Sequence, residues 1–286
     1  MEGGESLGMH PLARIRRQFE RIGFSVLKRL RSIAYLFAVL WAVVAAALRP
    51  STWNAPVRDV LYRQILFTGI DGMFLAGRFS LACGILVVVQ TELWGTKIGT
   101  ARDALEEVMY RTVLRDLAPL VANLVVIGRS GTAMAIEMAT MKLNGELEVL
   151  ESQGVDPLKY LVVPRVISTA ICVFSLAIVV VFMIVGSGLF AAFLLGVLST
   201  GPGPLLETIG REINREDAVF FVTKTLLIGL MVGVICVTTG LQARHSPTEI
   251  PVVASQSGVR ALSAVFLMSA LLPVIFYNKL LLIELF

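Results

Sequence analysis

Gly128-Arg129-Ser130-Gly131-Thr132-Ala133-Met134-Ala135-Ile136-Glu137 opens the stretch that decides the fold, which runs on through Met141-Lys142-Leu143, Glu146-Leu147-Glu148-Val149-Leu150-Glu151 and Gly154-Val155-Asp156-Pro157 to Pro164-Arg165. It is rich in charge, yet it lies between two strongly apolar segments, Leu120–Ile127 and Val166–Leu198. An apolar chain that leaves the membrane for a short, ordered, charged helix displays that helix to a partner. Gly128, Gly131, Ala133, Ala135 and Ala139 form a small-residue face that lets neighbouring helix backbones approach. From Thr140 to Gln153 the pattern turns amphipathic, with Leu143, Leu147 and Leu150 on one face and Glu146, Glu148 and Glu151 on others. Gly154 suits a left-handed C-cap, Asp156 an N-cap and Pro157 the first helical position, which makes a defined corner. Gly145 has no evident reason in a plain surface helix, because glycine weakens one.

The surrounding chain explains why this interruption stands out. Of 286 residues, 56% are hydrophobic and only 16% charged, where soluble domains are nearer a quarter charged. The apolar residues fall in long continuous runs rather than alternating, so the chain reads as an all-α polytopic membrane protein and not a barrel. Cys83, Cys172 and Cys236 are scattered singly through apolar segments with no pairing or metal spacing. The net charge of +4, weighted to the N-terminus, points to a membrane surface, and nothing resembles a nucleic-acid module. No cleavable signal peptide is evident.

Three regions follow: a disordered tail over 1–10, a basic amphipathic and interfacial region over 11–56, and a membrane domain over 57–286. Arg14, Arg16, Arg17, Arg21, Lys28, Arg29 and Arg31 face a single Glu20, which places the N-terminus in the cytoplasm by the positive-inside rule. Ile33–Leu48 reaches about 24 Å as helix, short of a core of roughly 30 Å, and suits an interfacial or re-entrant segment. Phe67–Val89 is the first span and holds Asp71 and Arg78, seven apart on nearly one face, with Gly77 and Gly84 as a packing strip. Arg115-Asp116-Leu117-Ala118-Pro119 starts the next, with a kink expected at the proline. Val166–Leu198 would be about 50 Å of helix, so a break is expected at Gly186-Ser187-Gly188. An acidic loop over 199–217 suits the outside. Ala218–Leu241, with Lys224 and the Gly229/Gly233 pair, and Ala261–Leu282, with Pro273, complete five crossings and leave the C-terminus outside.

The ordered combination Gly-Arg-x-Gly-x-Ala-x-x-x-Glu, Met-Lys, Gly-x-Asp-Pro and Leu-Val-x-Pro-Arg resembles the MlaE/YrbE-type permeases of ABC lipid transporters. Thr68-Gly69-Ile70-Asp71-Gly72, Gln90 and Arg115-Asp116-Leu117-Ala118-Pro119 extend the resemblance, with Asp116 standing where the family has Glu. The inner loop Ala243–Gly258 follows the pattern poorly. The resemblance implies a homodimeric inner-membrane permease with an N-terminal interfacial helix, five transmembrane helices and a cytoplasmic coupling helix at about 140–154. It implies that Lys142, Leu143, Glu146, Leu147, Leu150, Glu151 and Gly154 engage cytoplasmic ABC ATPase subunits. Gly128, Arg129, Gly131, Glu137, Asp156, Pro157, Pro164 and Arg165 carry the motif and its packing. Asp71, Arg78, Gln90, Arg115 and Asp116 are candidates for the rim of a lipid cavity, and each suits an intra-subunit ion pair equally. Implied partners are a periplasmic MCE-domain protein, a small STAS-type regulatory subunit and a phospholipid or related lipid, with ATP and magnesium on the partner ATPase.

No Gly-x-x-x-x-Gly-Lys-Ser/Thr loop occurs, so the chain carries no ATPase site of that kind. Two other readings stay open. A membrane-embedded lipid-modifying enzyme needs a nucleophile or metal cluster, but His10 and His245 lie outside the spans, and Ser130 is not in a Gly-x-Ser-x-Gly elbow. An ion-coupled transporter favours buried mid-span carboxylates, for which Asp71 is a candidate, and repeated halves, which are not visible.

Overall fold

The structure, a computed structural model, describes residues 31, 33–98, 102–196, 215–243 and 246–284. The expected N-terminal tail, the basic helix up to residue 30, most of the acidic loop, Arg244 and His245 lie outside these residues. The described elements are helices: α1 (Ile33–Ala47), α2 (Ala55–Gly95), α3 (Glu107–Leu143), the short α4 (Glu146–Ser152), α5 (Leu158–Leu194), α6 (Arg215–Leu241) and α7, whose described apolar span is Ile250–Phe276. All but α1 and α4 are long and apolar enough to cross a membrane, giving five candidate spans. The fold is an all-α polytopic membrane protein.

The chain divides into two units after Ala42. In the first, the described residues are the leading part of α1, and Ile33, Tyr35, Phe37 and Trp41 are exposed. The second begins with the end of α1. There the last carbonyls of α1 are capped by side chains: Thr52 Oγ1 donates to Ala46 O and Trp53 Nε1 to Ala47 O, each at 2.8 Å.

Within the second unit α5 is the central helix, packed on α2, α3 and α6. Val173, Leu176, Ala177, Val180 and Ile184 of α5 join Val121, Ala122, Val125 and Val126 of α3 and Ala76 and Val88 of α2 in one buried cluster. The Gly186-Ser187-Gly188 sequence does not break this helix, contrary to the sequence expectation; α5 continues unbroken to Leu194. Gly188 instead lies against Val88, and Gly84 against Ile184 and Ser187, so these glycines set the crossing of α2 and α5. A long helix with a close crossing has no need to bend, because tilt absorbs its extra length. The Gly229/Gly233 pair does the same between α6 and α5: a Cβ at Gly229 would stand 2.8 Å from Ala170 Cα, and one at Gly233 3.0 Å from Val166 Cα.

Helix α7 begins at Ile250, well before the expected Ala261, and the residues read as an inner loop are largely its first turns. It continues through Pro273. Among the described residues four π turns occur in the long helices, three inside them at Leu66–Ile70, Val113–Leu117 and Ile127–Gly131 and one at the start of α5 at Leu158–Val162. At Pro119 the expected distortion takes the form of the π turn just before it. Such turns cluster at functional sites because they free a carbonyl and re-aim side chains.

Candidate functional site

The charged motif residues come together in three places. The first is the crossing of α3 and α6. Pro119 has no N–H to give the carbonyl of Arg115 four residues earlier. Lys224 Nζ donates to that carbonyl at 2.8 Å and to the Asp116 carboxylate. Arg115 in turn donates to the Asp217 carboxylate at the start of α6. The Lys224 side chain is fully buried, whereas Asp116 is half exposed at 56%. Two ion pairs thus bind α3 to α6 while one carboxylate keeps an open side. An unpaired charge at this depth is expensive, so the pairs are required by the burial that surrounds them.

The second place joins α2 and α3. Arg129 Nη2 lies 2.6 Å from Asp71 Oδ2, and Nη1 donates to Phe67 O at 2.9 Å. The guanidinium also stands over the Phe67 ring, 5.2 Å from its centroid. Both partners sit in or beside π turns. Gly131 is held against Cys236, whose sulfur would be 3.0 Å from an added Cβ, while Gly128 has open space beside it.

The third place is the corner around α4. Helix α3 ends at Leu143, and the chain turns through Asn144 and Gly145. Gly145 has φ 73°, a left-handed conformation that a side chain opposes, which explains the glycine there. Helix α4 then runs only from Glu146 to Ser152, shorter than the expected 140–154, and none of its residues is buried. Glu146, Glu148 and Glu151 are exposed, and Leu143, Leu147 and Leu150 are half-buried. Gly154, at φ 76°, closes α4, and Val155 N donates to Leu150 O at 3.0 Å in a Schellman pattern. Asp156 Oδ1 accepts from Leu158 N at 3.0 Å, the N-cap that the sequence indicates, with Pro157 following it.

Two contacts brace the base of this corner. Lys142 turns inward, and its Nζ donates to the carbonyls of Leu241 at 2.6 Å and Ala243 at 3.1 Å, capping the C-terminus of α6. Arg165, almost fully buried, donates to Glu137 Oε1 at 2.8 Å and lies against the sulfur of Met138. This ties the end of α3, before α4, to the start of α5, after it. Ala135 and Ala139 are buried with Ala243 and Val253, and Gly240 lies on the backbone of Ala135. The small-residue face therefore packs on the ends of α6 and α7.

Of the rim candidates, Arg115 and Asp116 meet at the α3–α6 crossing, Asp71 pairs with Arg129, and Arg78 and Gln90 are exposed on α2. Sequence reasoning did not select Lys224 or Asp217 as site residues. An ionisable residue inside an apolar run is the signal that points to them. Among the described residues no group of three His, Cys, Asp or Glu side chains is placed to hold a metal ion.

Comparison with known proteins bears on this geometry. A family model described as Permease MlaE matches residues 61–275, which include all three charged sites. A probable ABC transporter permease protein of Rickettsia conorii is 25% identical over 77% of this chain and 82% of its own length. The intermembrane phospholipid transport system permease protein MlaE of Haemophilus influenzae is 27% identical over 68% of this chain and 77% of its own. The chloroplastic protein trigalactosyldiacylglycerol 1 of Arabidopsis thaliana is 24% identical over 76% of this chain and 61% of its own.

Proposed function

This chain belongs to the MlaE permease family and is an ABC transporter permease; from that premise we propose that it moves phospholipids or related lipids between the inner membrane and a periplasmic MCE-domain partner, driven by ATP hydrolysis on a separate subunit. The observation that carries the proposal is α4. It contributes nothing to the buried core, yet it is bounded by two left-handed glycines and braced from below by Lys142 and by the Glu137–Arg165 pair. A helix that is rigid but unburied suits a handle for a cytoplasmic ATPase. The printed name of the Haemophilus relative supports a phospholipid as cargo.

In this reading the permease works mechanically. Closure of two ATPases moves the α4 helices of a homodimer, and the brace passes that motion to α3, α5 and α6 together. The ion pairs at the α3–α6 crossing sit where a lipid headgroup meets the cavity, with the open side of Asp116 toward it. The N-terminus is cytoplasmic and the C-terminus periplasmic; ATP and magnesium stay on the partner, and a STAS-type subunit acts as regulator. The test is co-purification of the ATPase with Leu147→Asp and Leu150→Asp variants. The expected result is loss of the ATPase with the permease still folded and in the membrane. Retained ATPase overturns the role given to α4. Transport by reconstituted complex in the absence of nucleotide overturns the ATP-driven mechanism.

A further inference from the structure

The π turns at Leu66–Ile70 in α2 and Ile127–Gly131 in α3 pack against each other, and one guanidinium serves both. Arg129 lies within the α3 turn. Its Nη1 donates to Phe67 O of the α2 turn at 2.9 Å, and its Nη2 donates at 2.6 Å to Oδ2 of Asp71, the residue that ends that turn. In an α-helix Phe67 O takes the N–H of Asp71, four residues on. A π turn steps five residues, so this carbonyl needs a donor from elsewhere, and lipid offers none. Arg129 is that donor. Its own turn is wide in the same way, with Thr132 N donating to Ile127 O five residues back. The π turn at Val113–Leu117 repeats the arrangement, with Lys224 on the carbonyl of Arg115 and the carboxylate of Asp116. There the width is permanent, because Pro119 has no N–H to return to Arg115 O. The turns at Leu66–Ile70 and Ile127–Gly131 differ. Neither contains a proline, and none occurs in the four residues after either, so both keep the N–H groups that close a π turn to α.

We infer that Arg129 is the latch of a paired hinge: while it is engaged both turns stay wide, and when it leaves Phe67 O both rewind toward α together. Rewinding a π turn twists the helix on one side of it against the other by up to about 100° and shifts it by about 1.5 Å. The segments so re-aimed are Ala55–Ile65 of α2 and Thr132–Leu143 of α3. The second of these leads directly into α4, whereas the parts of α2 and α3 beyond the turns are fixed with α5 in the buried core. The hinge thus lies between the element that the ATPase drives and the core of the membrane domain, and in this respect the inference rests on the reading of α4 given above. Loss of one latch acts on two helices because the cation sits in one turn and its acceptors in the other.

The test is hydrogen–deuterium exchange on the full-length permease in lipid nanodiscs, with and without its ATPase. In the absence of nucleotide, Arg129→Gln should speed exchange roughly tenfold or more in peptides covering both 66–72 and 127–133, since each passage between registers breaks the bonds that protect those amides. Peptides covering 113–118 and the middle of α5 should not change. Asp71→Ala, which removes the other half of the latch, should give the same pattern and serves if Arg129→Gln fails to accumulate. In the unmutated complex, trapping with ATP and orthovanadate should raise exchange at both turns at once. A rise at one turn only, an even rise along α2, α3 and α5, or no change in the variants overturns the latch. No rise at either turn in a trapped complex that holds its ATPase overturns its use in the transport cycle. The nucleotide-free comparison needs no ATPase, and co-purification of the ATPase is scored separately, so failure of the α4 reading and failure of the latch are told apart.

Discussion

Lys142→Met removes the ammonium that caps α6 while keeping the length of the side chain. In the structure Lys142 Nζ makes two hydrogen bonds, to the carbonyls of Leu241 and Ala243, at the negative end of the α6 dipole. A hydrogen bond from a charged donor is worth about 1.5–3 kcal/mol, and a favourable helix-end charge about 0.3–1 kcal/mol. Lys142 is half-buried, and water replaces part of what is lost. The net effect on docking of the α3 end against the α6 end is then about 2–3 kcal/mol, or about 30- to 150-fold in local opening at 1.4 kcal/mol per tenfold. Hydrogen–deuterium exchange on protein in lipid nanodiscs reads this directly. Peptides covering 238–246 and 140–155 should exchange faster by that factor, while a peptide from the middle of α5 should not change. Lys142→Arg should restore most of the protection, because a guanidinium also caps carbonyls. Unchanged exchange at 238–246 in Lys142→Met, or an equal rise throughout α5, refutes the reasoning that the lysine acts as a local brace.

Three further outcomes follow from the same geometry. Gly229→Leu should lower thermal stability in detergent strongly, because Ala170 Cα blocks a side chain there, whereas Gly77→Ala should be nearly neutral, since nothing lies within 4 Å of the added carbon. Lys224→Met should destabilise by about 1.5–3 kcal/mol by removing the charged hydrogen bonds to Asp116 and the Arg115 carbonyl while water still reaches the half-exposed Asp116, and adding Asp116→Asn should recover only part of that loss in a double-mutant cycle followed by thermal melting. Gly145→Ala should cost about 1–2 kcal/mol at the α4 turn and weaken ATPase binding without displacing α5, as read by co-purification and exchange.

The sites differ in how far they were legible before any coordinates. The caps at Gly154 and Asp156 are local, each set by a few residues, and they stand where the residue types indicate. The same local logic missed Gly145, because its need arises only once α3 has ended against α6 and the chain must turn. The break expected at Gly186–Gly188 failed for a related reason. A glycine cluster permits either a bend or a close helix contact, and only the arrival of Val88 and Gly84 from α2 selects the contact. The ion pairs were the least legible. Arg115 meets Asp217 and Lys224 meets Asp116 across more than a hundred residues of chain.

By itself the sequence determined the class of the protein, the existence of its apolar helices and the place of the charged corner. Lipid cannot satisfy a backbone polar group, so long apolar runs have few alternatives to helix, and caps act within a turn. The tertiary structure decided which charge meets which, and that Lys142 looks inward to α6 and not outward. Those outcomes depend on where helices cross. Crossings are set by the summed fit of small residues on several helices at once, a quantity that no single stretch of the chain contains.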